Sequence, residues 1–377
     1  MITRRQIVIG LGGIGICPPG CAEPQFGEID HTLDQAVSRG TLPGFVLIIG
    51  DRNRVVHRRV AGWRALEPHR EAMTLDTVFD MASLTKPLIT APCVMRLIET
   101  GEISLETKIA TIFPDFAANQ KGDITIGLLL THYSGLPPDL PLDQNWSGRA
   151  EAFARACASP LAAEPSTRFI YSDINYLMLG FIVEKLTGES LDIYARALIL
   201  NPLSMSKSGF HPQLDRRPSI APTQYDETGV MLRGVVHDPT ARRMNGVAGH
   251  AGLFSCAEDL VRYITALLDR RSGRDSSFPL TQETVLAMTR PAQPARQREL
   301  RGLGWDIDTH YSTLRGERFP KNSFGHTGFT GPSLWVSPDT ESYVLILTNR
   351  VHPRGGTSLV ALRRLISTQT ALALGIG

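Results

Sequence analysis

The sequence predicts an α/β fold: an antiparallel sheet flanked by helices, with an inserted helical lobe. Strand hairpins lie near both ends of the 377-residue chain, and the stretch between them is mostly helical in pattern. Composition agrees, since 42% hydrophobic and 20% charged residues with 34 Gly and 25 Pro describe an ordinary globular protein rather than a coiled coil or a disordered chain. Length alone allows two domains or one large domain carrying a lobe.

A helix is expected around Ile29 to Arg39. Gly44-Phe-Val-Leu-Ile-Ile-Gly50, the polar turn Asp51-Arg-Asn53 and Arg54-Val-Val-His-Arg-Arg-Val60 then read as two strands of a hairpin. Leu88, Ala91, Met95 and Ile98 recur on one helical face before Gly101, and Pro92 is expected to kink or break that helix. Tyr176 to Lys185, followed by Gly188, is a further helix. Ser333-Leu-Trp-Val-Ser337 and Ser342-Tyr-Val-Leu-Ile-Leu-Thr348 form the second hairpin, and Leu359 to Ala373 has helical spacing. Asp269–Ser277 and Pro291–Arg296 read as surface loops. These elements place an α/β lobe at about 28–87 and 235–377 and the helical lobe at about 88–234, without internal repeats.

Thirty-nine Lys plus Arg against 37 Asp plus Glu leave a net charge of +2, and no basic run is long enough to follow a phosphate backbone. Nucleic acid is therefore not an expected partner. Residues 1–22 read as an export signal: Arg4 and Arg5, an apolar run to Ile16, then small residues at Gly20 and Ala22. Thr3-Arg4-Arg5-Gln6-Ile7 also looks like a twin-arginine signal, which points to the periplasm or cell envelope. Gly10-Leu-Gly12-Gly-Ile-Gly15 matches a dinucleotide fingerprint, but Cys17-Pro18-Pro19-Gly20 cannot supply the helix that must follow it. Lipid attachment at Cys17 or Cys21 lacks a convincing lipobox. The remaining Cys93, Cys157 and Cys256 are widely spaced and read as small buried residues. His132, His237 and His250 fall in no metal-ligand spacing and read as loop or packing residues, so neither metal nor cofactor is expected.

Phe79-Asp-Met-Ala-Ser83-Leu-Thr-Lys86-Pro contains S-x-x-K where a helix should start, which puts Ser83 and Lys86 on one face. A serine hydroxyl needs a neighbouring base, and a desolvated lysine can be one. Downstream come Phe169-Ile-Tyr171-Ser172-Asp173-Ile-Asn175 and Phe324-Gly-His326-Thr327-Gly328-Phe329. In this order the three stretches resemble the S-x-x-K, Y-x-N and K-T-G elements of serine β-lactamases and D,D-peptidases, nearest the class C-like branch. Leu128-Leu-Leu-Thr-His-Tyr-Ser-Gly-Leu-Pro137, Gly246-Val-Ala-Gly-His-Ala-Gly-Leu-Phe-Ser255 and Leu347-Thr-Asn-Arg350 also look like segments of that family.

The resemblance covers roughly residues 30 to 370, so that 23–377 is one β-lactamase/D,D-peptidase-like serine hydrolase domain. It implies that Ser83 is the acylated nucleophile, Lys86 its base and Tyr171 the phenol that relays a proton. It further implies an oxyanion hole from the backbone N–H groups of Ser83 and Phe329, with Asp173, His326, Thr327 and Gly328 contacting substrate. Two departures stand out: Asp173 replaces the usual Asn of the second element and His326 the usual Lys of the third. Both weaken recognition of a substrate carboxylate, and protonation of His326 below pH 7 is expected to restore some of it. The expected activity is hydrolysis of an ester or amide, possibly of a peptidoglycan-like substrate, through an acyl-enzyme. The alternatives are a true class C-like β-lactamase and a non-catalytic penicillin-binding or scaffold protein. Ser134 is not expected to be the nucleophile, because His132 and Leu136 stand where a G-x-S-x-G elbow needs glycine.

Overall fold

The computed structural model describes residues 25–376, so the export signal expected at 1–22, with Cys17 and Cys21, lies outside the described residues. Eight strands form one antiparallel sheet in the order β3-β2-β1-β10-β9-β8-β7-β6. Its centre is β1 (Gly44–Asp51), between β2 (Val55–Ala65) and β10 (Ser342–Leu347), with Val46 opposite both Val60 and Leu347. β3 (Glu71–Ala72) ends one side; β9 (Ser333–Ser337), β8 (Phe324–Thr327), β7 (Asp306–Asp308) and β6 (Leu300–Arg301) continue the other. Both expected hairpins are present, the first longer than its sequence signal because β2 runs on to Ala65.

The side-chain period of two explains why β1 is almost continuously apolar. Phe45, Leu47 and Ile49 point to one face of the sheet, where they pack with Leu33 of α1 (Gly27–Ser38) and Ile366 of the C-terminal helix Val360–Ala373. Val46 and Ile48 point to the other face and join the larger core shared with the helical region. Cys93, Cys157 and Cys256 are buried free thiols.

That helical region holds the first helix in two pieces. Lys86–Thr90 is a π-helical turn, and α2 follows as Ala91–Glu99. Pro92, expected to kink or locally break the helix, sits in the first turn of α2, where its missing N–H coincides with the change of hydrogen-bond register from the π turn. α3 (Asp173–Thr187) is buried along most of its length and ends at Gly188, whose φ of +72° suits a glycine. It crosses the segment carrying Gly249 at such close range that a Cβ on Gly249 would lie 1.9 Å from the Tyr176 carbonyl oxygen. Gly249→Ala should therefore lower stability by about 1–3 kcal/mol, the usual cost of overpacking. Gly122→Ala, at a position with open space around it, should change stability by less than about 0.5 kcal/mol. Urea unfolding of both variants checks the contrast.

Candidate active site

The S-x-x-K segment begins where β4 (Phe79–Asp80) pairs with β5 (Phe254–Ser255). Ala82, just before the serine, has φ of +45°, a conformation that costs a non-glycine residue energy and needs support. Asp80 supplies it: its buried carboxylate accepts the Ala82 N–H at 2.8 Å and the His237 N–H at 2.7 Å. Burial raises Asp80 to about 6, and these two hydrogen bonds act in the opposite sense. Thr85 Oγ1 donates to the Ala82 carbonyl at 2.7 Å. Ser83 therefore lies in a 3-10 turn (Ala82–Leu84), with the π turn starting at Lys86, rather than at the start of a regular α-helix.

Lys86 is fully buried, and its Nζ meets three oxygens. It donates to Ser83 Oγ at 2.8 Å and to the His250 carbonyl at 3.0 Å, and it lies 2.7 Å from Asp173 Oδ1. The Asp173 contact is an ion pair without good hydrogen-bond alignment. Asp173 was expected to contact substrate. It lines the cleft, but its carboxylate serves as the counter-ion of Lys86, because an ammonium removed from water requires one.

Tyr171 completes the group through a side-chain hydrogen bond with Ser83. Its ring is sandwiched between His132 at 4.5 Å and Tyr311 at 4.8 Å between centroids, and Lys86 Nζ lies 5.1 Å from its face. Burial, then the nearby Asp173 charge, pushes the phenol far above its ordinary value, and the Ser83 hydrogen bond only partly opposes this. Tyr171 is thus a phenol at any working pH, a proton donor rather than a phenolate. His132 caps the short helix Ile126–Thr131 in a left-handed conformation. Its Nδ1 accepts from the Ser172 N–H and from Asn175 Nδ2, both at 3.1 Å, which fixes the proton on Nε2. Ser134 Oγ, which donates to Asn175 Oδ1, is buried and unavailable as a nucleophile.

The third element departs from expectation. Successive β8 side chains alternate faces, so Thr327 lines the cleft while His326 turns inward and is buried. His326 was expected to meet substrate and to gain a proton below pH 7. Instead burial, reinforced by the Arg301 and Lys86 charges, holds its pKa well below the ordinary histidine value. Its Nδ1–H donates to the Thr327 carbonyl at 2.8 Å. Gly328 lets this strand end approach the nucleophile turn, since a Cβ there would lie 2.5 Å from the Met81 carbonyl oxygen. Thr330 Oγ1 fastens the same turn to the Asp80 carbonyl at 2.7 Å. The N–H groups of Ser83 and Phe329 donate to no acceptor among the described residues, which leaves both free for an oxyanion.

Ser83, Tyr171, Asp173, Thr327 and Phe329 line one open cleft of about 1390 Å³. Tyr311 and Phe329 are exposed on it, the latter stacked on His237 and facing the Arg350 guanidinium. Asp173, Asp238 and His250 hold potential metal-ligand atoms within 4.8 Å of one another. The set does not fit a cation, because Lys86 Nζ already pairs with Asp173 and His250 Nε2 with Asp238 Oδ1 at 2.8 Å. Three histidines assigned from sequence to loops or packing thus belong to the site: His132 against Tyr171, His237 against Phe329 and His250 against Lys86. For His132 and His250 the available signal was their position inside family-like segments, which their lack of metal-ligand spacing obscured; His237 lies outside those segments.

An antiparallel sheet flanked by helices, with a serine, a buried lysine and a tyrosine gathered on one cleft, is the arrangement of a serine hydrolase. The chain belongs to the β-lactamase family, whose model matches residues 29–367. It is 29% identical over 365 residues to the N-acetylmuramyl-L-alanine amidase of Bacillus subtilis (strain 168), covering 86% of this chain and 81% of that protein. It is 28% identical over 369 residues to a protein of Escherichia coli (strain K12) provisionally assigned as a D-alanyl-D-alanine carboxypeptidase, covering 87% and 83%. The octameric penicillin-binding protein homologue of Pyrococcus abyssi superposes with a TM-score of 0.73 at 25% identity, over 93% of this chain and 77% of that one.

Because the depressed pKa of His326 confines its charged form to strongly acidic solution, its ring should stay neutral as pH falls from about 8 to 6. Ring-carbon NMR shifts that titrate in that window would overturn this placement.

Proposed function

We propose that this serine hydrolase forms an acyl-enzyme on Ser83 and acts on the amide bond of a cell-wall-derived peptide or glycopeptide, in the cell envelope. The observation that carries the reading is the 2.8 Å contact between Ser83 Oγ and the buried Lys86 Nζ, with the Tyr171 phenol bonded to the same serine. Ser83 Oγ attacks the carbonyl carbon as its proton passes to Lys86 in its neutral form, and the oxyanion is met by the N–H groups of Ser83 and Phe329. Tyr171, held as a phenol, gives its proton to the departing amine and is reprotonated from Lys86. Water then attacks the ester, the proton moves back through the same groups, and Ser83 is released.

Substrate class follows from the cleft. Its size suits a bulky fragment, and His326, at the position of the family's usual lysine, offers no cation to the wall beside Thr327, since it is buried and its pKa is held well below the ordinary histidine value. A carboxylate placed there would forgo a charge-assisted contact, typically about 1.5–3 kcal/mol. This disfavours the β-lactamase reading. The relatives named for a muramyl-alanine amide and for D-alanyl-D-alanine support an amide of the cell wall, and they also support the envelope as its location.

Ser83→Ala should abolish covalent labelling by a fluorophosphonate and cut turnover on the order of 10³-fold or more. Mass spectrometry that places the adduct elsewhere would refute the assignment. Tyr171→Phe keeps the ring stack but removes the proton donor, so kcat should fall by about 10²–10⁴-fold for amides and less for activated p-nitrophenyl esters, whose leaving group needs no proton. The β-lactamase reading prevails if a cephalosporin is hydrolysed faster than p-nitrophenyl acetate and faster than a muramyl-alanine amide.

A further inference from the structure

Four arginines line the cleft, and two of them lack a counter-ion. Arg242 pairs with Glu227 at 3.3 Å and also donates to the His237 carbonyl. Arg243 lies over the Trp146 ring and donates to the carbonyls of Gln144 at 3.0 Å and Leu142 at 3.2 Å. Arg350 and Arg363 bond only to backbone carbonyls, and neither has a carboxylate partner among the described residues. The acidic side chains of the cleft are engaged elsewhere. Asp226 Oδ1 closes its own turn by accepting the Thr228 and Val230 N–H groups, both at 2.9 Å, and Asp139 Oδ1 accepts from the Leu140 N–H and Thr240 Oγ1. Asp238 pairs with His250 and Asp173 with Lys86.

Arg363, on the C-terminal helix Val360–Ala373, is 5% exposed. Its Nη2 donates to the Gly331 carbonyl and, at 3.1 Å, to that of Pro332, which braces the turn carrying Phe329. Its Nε is buried without a partner among the described residues. Arg350 is differently placed. Its Nη1 donates to the carbonyls of Gly356 at 2.8 Å and Thr357 at 3.2 Å, and its guanidinium carbon lies 4.5 Å from the centroid of the exposed Phe329 ring. These contacts hold the guanidinium next to the residue whose N–H is free for an oxyanion. They leave Nε and Nη2 without a protein acceptor among the described residues.

Two cations in a partly dry place, with no anion between them, oppose each other and the fold that holds them. Burial lowers the pKa of Arg350, and burial followed by the Arg350 charge lowers that of Arg363 to about 9, with no carboxylate acting in return on either. An arriving anion relieves that opposition. The Nε and Nη2 edge of a guanidinium is a fork that fits the two oxygens of a carboxylate. We infer that Arg350 is a specificity-determining residue of the cleft: its open edge binds a carboxylate carried by the substrate, while Arg363 braces the Phe329 turn beside it. One guanidinium with an open edge suits one negative charge, which favours a carboxylate over a phosphate dianion. His326 offers no cation beside Thr327, so the acidic group of the substrate belongs at Phe329 instead.

The inference rests on the acyl-enzyme reading and adds an acidic substrate to it. The test compares the wild type, Arg350→Gln, Arg350→Lys and Arg243→Gln on two series of esters. One series is p-nitrophenyl monoesters of dicarboxylic acids of increasing length, and the other is m-carboxyphenyl esters, so the charge sits in turn on the acyl and the leaving group. Each acid is matched with its neutral methyl ester. In one of the series the wild type should prefer the acid by about tenfold or more in kcat/KM, mainly through KM. Arg350→Gln should bring that ratio to about one, and Arg350→Lys should keep part of it, because an ammonium retains the charge without the fork. Arg243→Gln should leave the ratio in place. The inference is overturned by the absence of an acidic preference in both series, by a preference that survives Arg350→Gln, by an equal loss in Arg243→Gln, or by a matched phosphonate turned over better than the carboxylate. Should Arg350→Gln not fold, Arg350→Met carries the same comparison, since it keeps an aliphatic chain against Phe329. Failure of the wild type to label with a fluorophosphonate at Ser83 would instead remove the acyl-enzyme reading itself.

Discussion

The organisation of the site follows from the complete burial of one lysine. An ammonium taken out of water costs several kcal/mol unless oxygen atoms replace the solvent around it. Here they come from three places in the chain: Ser83 one turn away, Asp173 at the start of α3 and the carbonyl of His250. Every segment that brings one of these oxygens must pack without a gap. The near contact of Gly249 with the Tyr176 carbonyl, and the π turn that aims Lys86, are consequences of that demand. The nucleophile turn meets a second demand, because Ala82 keeps its unfavourable backbone only while Asp80 and Thr85 hold it.

The charge pattern of the cleft follows from the same geometry. Arg301, fully buried behind the site, adds to Lys86 in keeping His132 and His326 uncharged, so the rings beside Tyr171 act as neutral packing and hydrogen-bonding groups. At the reacting groups positive charge sits on Lys86 with the Asp173 carboxylate directly against it, and the guanidinium groups of Arg242, Arg243, Arg350 and Arg363 line the rest of the cleft.

The sheet was legible in the sequence wherever alternation and turn residues agreed. The hairpin of β1 and β2 and that of β9 and β10 follow from apolar runs bounded by Asp51-Arg-Asn53 and Pro338-Asp339-Thr340. Short strands such as β6 and β7 carry too few residues for a period to register. Within the site, helical spacing brought Ser83 and Lys86 together, and the family resemblance added Tyr171. It was not enough for Asp173 and His326, since motif position does not say which way a side chain turns: strand alternation sends His326 inward, and the lysine claims Asp173. His250 was invisible for a different reason. Its contacts with Lys86 and Asp238 are tertiary, and a lone histidine between glycines has no local pattern to mark it.

The position of β1 at the middle of the sheet has a consequence for the order of assembly. One neighbour, β2, is made moments later, but the other, β10, is separated from it by most of the chain. Closing that pairing means joining a very large loop, an entropic cost repaid only when both apolar faces of β1 are covered. Among the described strands β1 is made first, and it therefore waits with one edge open until β10, the last, has been synthesised. Because Thr327 and Gly328, at the end of β8 in this same sheet, close on the nucleophile turn, the active site is completed late in folding.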